Sequence, residues 1–101
     1  MAQVLVLYNT PVDAAAFDHY YHTTHVPLAN TIPGLRSYVI NANPVHAMSG
    51  TAPYLVAELT FDSMAEIQAA LMSPQGQAAA ADLPNFATGG VTLLMFETKN
   101  L

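Results

Sequence analysis

The stretch AQVLVLY at residues 2–8 is short, rich in β-branched residues and followed by Asn9, Thr10 and Pro11, so it reads as a strand ending in a turn. Its alternate residues are Val4, Val6 and Tyr8 on one face and Leu5 and Leu7 on the other, and neither face is polar. A strand that is apolar on both sides needs one layer above it and another below. The chain has limited means to supply both, because its 101 residues make one domain, spanning 1–101, with a single modest core.

The remaining pattern supplies only one of those layers. Asp13 is placed to cap a helix running to about Ala29, which Pro27 is expected to bend or end by removing a backbone donor. LRSYVIN (35–41) reads as a second strand after a Pro-Gly turn, NPVHAMSGTAP (43–53) as a loop, and YLVAELTF (54–61) as a third strand. Ser63 and Glu66 have the spacing of a capping box opening a helix over 63–73. A short helix ending near Asp82 and a last strand, VTLLMFET (91–98), complete the chain. The order β-α-β-β-α-β is that of the ferredoxin-like α+β fold, a four-stranded antiparallel sheet with its helices on one face. Helices on one face leave the other side of the first strand bare. Stacking two sheets face to face covers it, which predicts a homodimer.

The composition agrees. Charged residues make up 9% of the chain and hydrophobic residues 52%, against roughly 25% charged in an average soluble domain. The Ala-rich segment AALMSPQGQAAAAD inflates the apolar count without making a greasy surface, but the scarcity of charge remains. Net charge is −5 and the only fixed cations are Arg36 and Lys99. Neither nucleic acid nor an anionic membrane surface is an expected partner, since both are bound by clusters of Lys and Arg. No apolar run approaches the roughly 20 residues of a spanning helix, and the start lacks the basic and apolar regions of a signal peptide. A cytoplasmic protein is the default expectation. The absence of cysteine removes disulfides, thiolate nucleophiles and Cys-based zinc sites.

Three of the four histidines, His19, His22 and His25, fall within seven positions of the first helix. At about 100° per residue, Ala14, Phe17, Tyr21, Thr24 and Leu28 share a stripe, with His25 about 50° from its centre, His22 about 110° and His19 about 170°. The three therefore point to different surroundings, whereas metal ligands need a common focus. His25 alone faces the core. There it is either a buried histidine satisfied by a backbone carbonyl or a general acid or base, since imidazole titrates near neutrality. His46 lies in the loop.

Arg36, Tyr38 and Ile40 share one face of the second strand, and Tyr54, Val56, Glu58 and Thr60 one face of the third. A hairpin centred near Ala47 would set Arg36 opposite Glu58 and Tyr38 opposite Val56. That pair is either a structural ion pair or a charged anchor for a ligand.

Phe17, Tyr20 and Tyr21, then His25, Pro27 and Leu28, then Pro33-Gly34-Leu35 and Tyr38 resemble the EthD family of dimeric α/β-barrel proteins. The resemblance continues through Ser73, Pro74, Gly76, Asp82 and Phe86 to Glu97, and so spans nearly the whole chain. It implies sheet-to-sheet dimerisation and a ligand cavity between sheet and helices, with His25 on its wall. It also implies catalytic roles for His25 and Tyr38, matching a histidine and a tyrosine of a related methylmuconolactone isomerase. That isomerase uses a cysteine, which this chain lacks, so its reaction does not carry over. Arg36, Glu58, Tyr21 and Phe86 are the expected substrate-binding residues, leaving Leu35, Val39, Leu55 and Leu59 for the dimer face. The expected ligand is a small hydrophobic or aromatic molecule, with no metal and no cofactor. The functions in view are a metal-independent isomerase or lyase, a cofactor-independent monooxygenase, a non-catalytic binder or accessory protein of a degradation pathway, and a purely structural dimer.

Overall fold

The doubly apolar strand lies inside the sheet. In a computed structural model describing residues 1–101, β1 (Ala2–Tyr8) pairs antiparallel with β3 (Leu55–Phe61) on one side and β4 (Val91–Glu97) on the other. β2 (Ser37–Ile40) adds to β3, giving the order β2-β3-β1-β4. α1 (Ala14–Tyr20) leads through a π-helical turn, Tyr21–His25, into α2 (Val26–Ala29); α3 (Met64–Met72) and α4 (Pro74–Asp82) follow β3. The arrangement is the predicted ferredoxin-like one. Asp13 and Ser63 cap their helices as expected, accepting from the backbone N–H of Ala16 and Glu66.

The helices pack on the face formed by Ala2, Val6 and Tyr8 of β1 and Leu55, Ala57, Leu59 and Phe61 of β3, where Phe17, Tyr21, Ile67, Ala70 and Phe86 close the core. The opposite face carries Leu5, Leu7, Val39, Val56, Leu94 and Phe96 with no layer over it. Val39, Leu94 and Phe96 are 49%, 45% and 42% exposed. The backbone measures 35 × 35 × 19 Å, one layer of helices on one sheet.

The β2–β3 register corrects one expectation. Ser37 pairs with Thr60, Tyr38 with Leu59, Val39 with Glu58 and Ile40 with Ala57. Tyr38 thus meets Leu59 and not Val56, a shift of three residues, and an odd shift exchanges a strand's two faces. Leu55 and Leu59 are therefore core residues, not dimer-face residues, and Glu58 is exposed on the outer face. The cause is Asn41. Its backbone N–H donates to the Val56 carbonyl and its side-chain oxygen accepts from the Val56 N–H, so both hands of Val56 are held at one residue. This clamp centres the hairpin between Met48 and Ser49.

The π-turn refines a second. The helix reaches Ala29 as expected, and Pro27 does not stop it at the preceding residue. A proline ring collides with the carbonyl four residues back, here Thr23. The wider turn has already left the four-residue ladder at that point, with the Val26 N–H reaching the Tyr21 carbonyl. The extra residue also cancels the roughly 40° by which four α-helical residues overshoot a turn. Phe17, Tyr21, His25 and Ala29 are consequently all buried, while Ala14 and Thr24 of the predicted stripe are exposed.

Candidate functional site

The π-turn moves His25 from the margin of the buried stripe to its middle, where it is 6% exposed. Its ring is held from two sides, by Phe86 at 4.7 Å between centroids and Tyr21 at 5.6 Å. Nδ1 lies 2.9 Å from Asp82 Oδ2. The other carboxylate oxygen, Oδ1, accepts from the Tyr20 hydroxyl at 2.6 Å and from Asn85 Nδ2 at 3.0 Å. Burial pulls the Asp82 carboxyl upward, but the hydrogen bonds from Tyr20, His25 and Asn85 outweigh it and leave the group below its usual range. An ionised Asp82 can only accept, so in the neutral imidazole Nδ1 carries the proton and Nε2 the lone pair.

Asp82 is the last residue of α4, where a negative charge opposes the helix dipole. A locally unfavourable acid supplied with donors from three residues, one 62 positions away, is the kind of inconsistency that accompanies a built site.

His25 forms part of the wall of a cavity of about 280 Å³ between sheet and helices. Val4, Val6, Tyr8, Ala57 and Leu59 floor it; Ala29, Leu71, Ala79 and Leu83 roof it; and Leu93 and Met95 of the edge strand line its open side. Sixteen of the eighteen lining residues are hydrophobic, so a handful of polar atoms decides what is recognised. His25 Nε2 has no hydrogen-bond partner in the chain, yet no sealed side-chain nitrogen or oxygen lacks one, so this atom opens onto the cavity. Tyr38 also faces inward, and its hydroxyl is hydrogen-bonded to that of Tyr21. Burial, chiefly, raises both phenols above their ordinary range and keeps them protonated donors.

Of the predicted site residues, His25 and Tyr38 line the cavity, with Phe86 behind the first and Tyr21 behind the second. Arg36 and Glu58 do not join them. The Arg36 guanidinium pairs with Asp62 in solvent, Nε to Oδ1 at 3.2 Å and Nη2 to Oδ2 at 2.7 Å. Arg36→Ala is accordingly expected to leave ligand binding in the cavity unchanged, as titration calorimetry would measure. His19 and His46 are exposed. His22 borders a second, wider groove of about 590 Å³ beneath the 41–53 loop, where Tyr54 donates to Asp18 and Asn41 is occupied by the backbone.

Asp82 was marked by the sequence without a role, and Tyr8, Tyr20 and Asn85 were not candidates. Strand alternation does place Tyr8 on the face of Val4 and Val6, but not the direction of its hydroxyl. An acid closing a helix was the one local sign of Asp82.

Fold and cavity together define a ferredoxin-like α+β protein with a small-molecule-sized space between its sheet and helices. The sequence profile of the EthD domain matches residues 9–90. An uncharacterised 11.0 kDa protein from the thcB–thcC intergenic region of Rhodococcus erythropolis is 43% identical over 103 residues, covering 100% of this chain and 98% of the relative. The crystal structure of an ethyl tert-butyl ether d (EthD) family protein from Bacillus halodurans superposes with a TM-score of 0.87 at 33% identity, covering 98% of this chain and 99% of that one. This chain belongs to the EthD family. Two remoter structures share the fold alone. A dimeric ferredoxin-like protein from Thermobifida fusca has a TM-score of 0.70 at 15% identity, over 96% of this chain and 90% of that one. SnoaB, a cofactor-independent oxygenase from Streptomyces nogalater, has 0.67 at 14%, over 99% and 94%.

Proposed function

We propose that this protein binds a compact hydrophobic or aromatic metabolite in the sheet–helix cavity and moves a proton on it. His25 acts as the base through Nε2, and Tyr38, oriented by Tyr21, hydrogen-bonds a ligand oxygen. The observation that carries this reading is the His25 Nδ1–Asp82 hydrogen bond, which fixes the tautomer that leaves Nε2 basic. Isomerase, lyase and cofactor-independent oxygenase chemistry can each begin with such a step. The oxygenase form draws support from the shared fold of SnoaB, and it requires a substrate carbanion that itself reacts with oxygen. Exchange of carbon-bound protons of an enolisable ketone for solvent deuterium tests the reading: it should occur with the wild type and vanish in His25→Gln. Tight binding without exchange would instead favour the second reading, a non-catalytic binder of a degradation pathway, for which the overwhelmingly apolar lining speaks.

We also propose that the bare outer sheet face pairs with a second copy, as the Thermobifida relative's description as dimeric suggests. Phe96→Asp places a charge on that apolar face, at the edge strand β4, and is expected to convert a dimer to monomer in sedimentation equilibrium. A mass unchanged by the substitution, or a monomeric wild type, would sink the interface.

A further inference from the structure

Tyr8 is 1% exposed, yet its hydroxyl makes no hydrogen bond within the chain. Every sealed side-chain oxygen does have a partner, so this one is not sealed: the small part of Tyr8 left open is at the hydroxyl, and the space beside it is the cavity. A phenol buried to this degree and left without a partner is costly, unless something entering the cavity completes it. Tyr8 and His25 are neighbours through two shared rings. Phe86 lies 5.6 Å from Tyr8 and 4.7 Å from His25, and Tyr21 lies 5.7 Å and 5.6 Å from them. The cavity thus presents, among apolar residues, a donor at Tyr8 Oη on its sheet floor and an acceptor at His25 Nε2 on its helical wall.

The charge of the lining narrows the ligand. No Lys or Arg reaches the cavity: Arg36 is engaged with Asp62 in solvent, and Lys99 is exposed near the chain's end. The nearest fixed charge is the Asp82 carboxylate behind His25. A carboxylate or phosphate entering this space would lose its water and find no Lys or Arg to pair with, only an imidazole already shared with the Asp82 carboxylate. Burial, followed by the neighbouring Tyr38 and the Asp82 charge, raises Tyr8 well above its ordinary range, so it remains a donor.

We infer that Tyr8 is a ligand-contacting residue and that the ligand is an uncharged ketone, whose carbonyl oxygen accepts from Tyr8 Oη while His25 Nε2 faces the adjoining carbon, the oxygen assigned to Tyr38 being a different one. This deepens the acid–base reading and rests on it for the chemistry, though not for the binding preference. In the step, Nε2 takes a proton from the carbon beside the carbonyl. The C–H pair becomes a carbon–carbon double bond and the carbonyl π pair moves onto oxygen. Tyr8 hydrogen-bonds that enolate oxygen without giving up its proton, and the imidazolium, once its Nε2 proton has exchanged with solvent, delivers a solvent-derived proton to the carbon.

Titration calorimetry with 1-tetralone, its apolar isostere tetralin and the anion 1-naphthoate tests the assignment. The wild type should prefer 1-tetralone to tetralin by about three- to tenfold, the worth of one neutral hydrogen bond, and should bind 1-naphthoate least. Tyr8→Phe keeps the ring and its packing; it should erase the preference while leaving tetralin affinity unchanged. The carbonyl carbon of bound, labelled 1-tetralone should resonate downfield in the wild type and lose that shift in the variant. A wild type without the preference, a preference that survives Tyr8→Phe, or 1-naphthoate binding best would overturn the inference. Deuterium exchange in the same samples separates the two claims. Tyr8-dependent preference without exchange leaves this inference standing and removes His25 as a base, whereas His25-dependent exchange with a Tyr8-independent preference does the reverse.

Discussion

His25→Gln is expected to slow α-proton exchange from 1-tetralone by about 10²- to 10⁴-fold, the range that a positioned general base contributes. Glutamine fills similar space and can still hydrogen-bond Asp82, so a loss of this size would report missing basicity and not a collapsed wall. Asp82→Asn should act through the same atom. A carboxamide can donate to Nδ1, and the imidazole then carries its proton on Nε2, where a base needs a lone pair. The expected signature is a switch of the protonated ring nitrogen from Nδ1 to Nε2 in ¹⁵N spectra, together with loss of exchange. A merely structural aspartate would show neither. The stability difference has a defined pH window. The folded Asp82 carboxyl lies below its ordinary 3.8, so its contribution is fully present above that pH and is lost as pH falls through the lower folded-state value. The melting temperatures of wild type and Asp82→Asn should therefore differ at pH 6 and converge in strong acid. A gap that instead widens in acid would mean that Asp82 is not held ionised.

What the sequence reveals about this molecule and what it hides divide along the reach of the interactions. Asp13, Ser63 and the alternation of β1 act over a few residues, and each can be read where it stands. From them come the element order and the uncovered sheet face. The β2–β3 register hides in Asn41, whose side-chain oxygen and backbone N–H together hold both backbone groups of Val56, fifteen residues away. Moving the loop centre by one and a half residues, which is a three-residue shift in pairing, is enough to exchange the faces of β3 and to relocate Glu58 and Leu59. His25 was legible as the inward-facing histidine even with a uniform helical period. Its central position was not, because the π-turn that sets it departs from that period. The Asp82 bond spans 57 residues and depends on where α4 stops, which local patterning cannot supply.

Where α4 starts is equally critical, and Gly76→Ala is expected to be severely damaging for so small a substitution. Gly76 lies in the first turn of α4, its N–H capped by Ser73 Oγ, and it forms part of the cavity wall. A Cβ there would stand 2.0 Å from the Ala70 carbonyl oxygen and 3.0 Å from the Leu71 Cα. Both are backbone atoms of α3, so no rotamer change relieves the collision; one helix must move against the other. Such overpacking costs about 3 kcal/mol, which in a domain of this size lowers Tm by more than about 10 °C. Gly50→Ala is the control. Gly50 has a φ of +78° and open space around it, so only left-handed backbone strain of about 1 kcal/mol applies. Moving α4 also moves Asp82 at its other end. Gly76→Ala should therefore weaken the His25–Asp82 contact and reduce exchange well below the transition temperature, whereas Gly50→Ala should leave exchange intact. Equal Tm losses in the two variants would mean that the α3–α4 joint yields easily and that the site does not depend on its tightness.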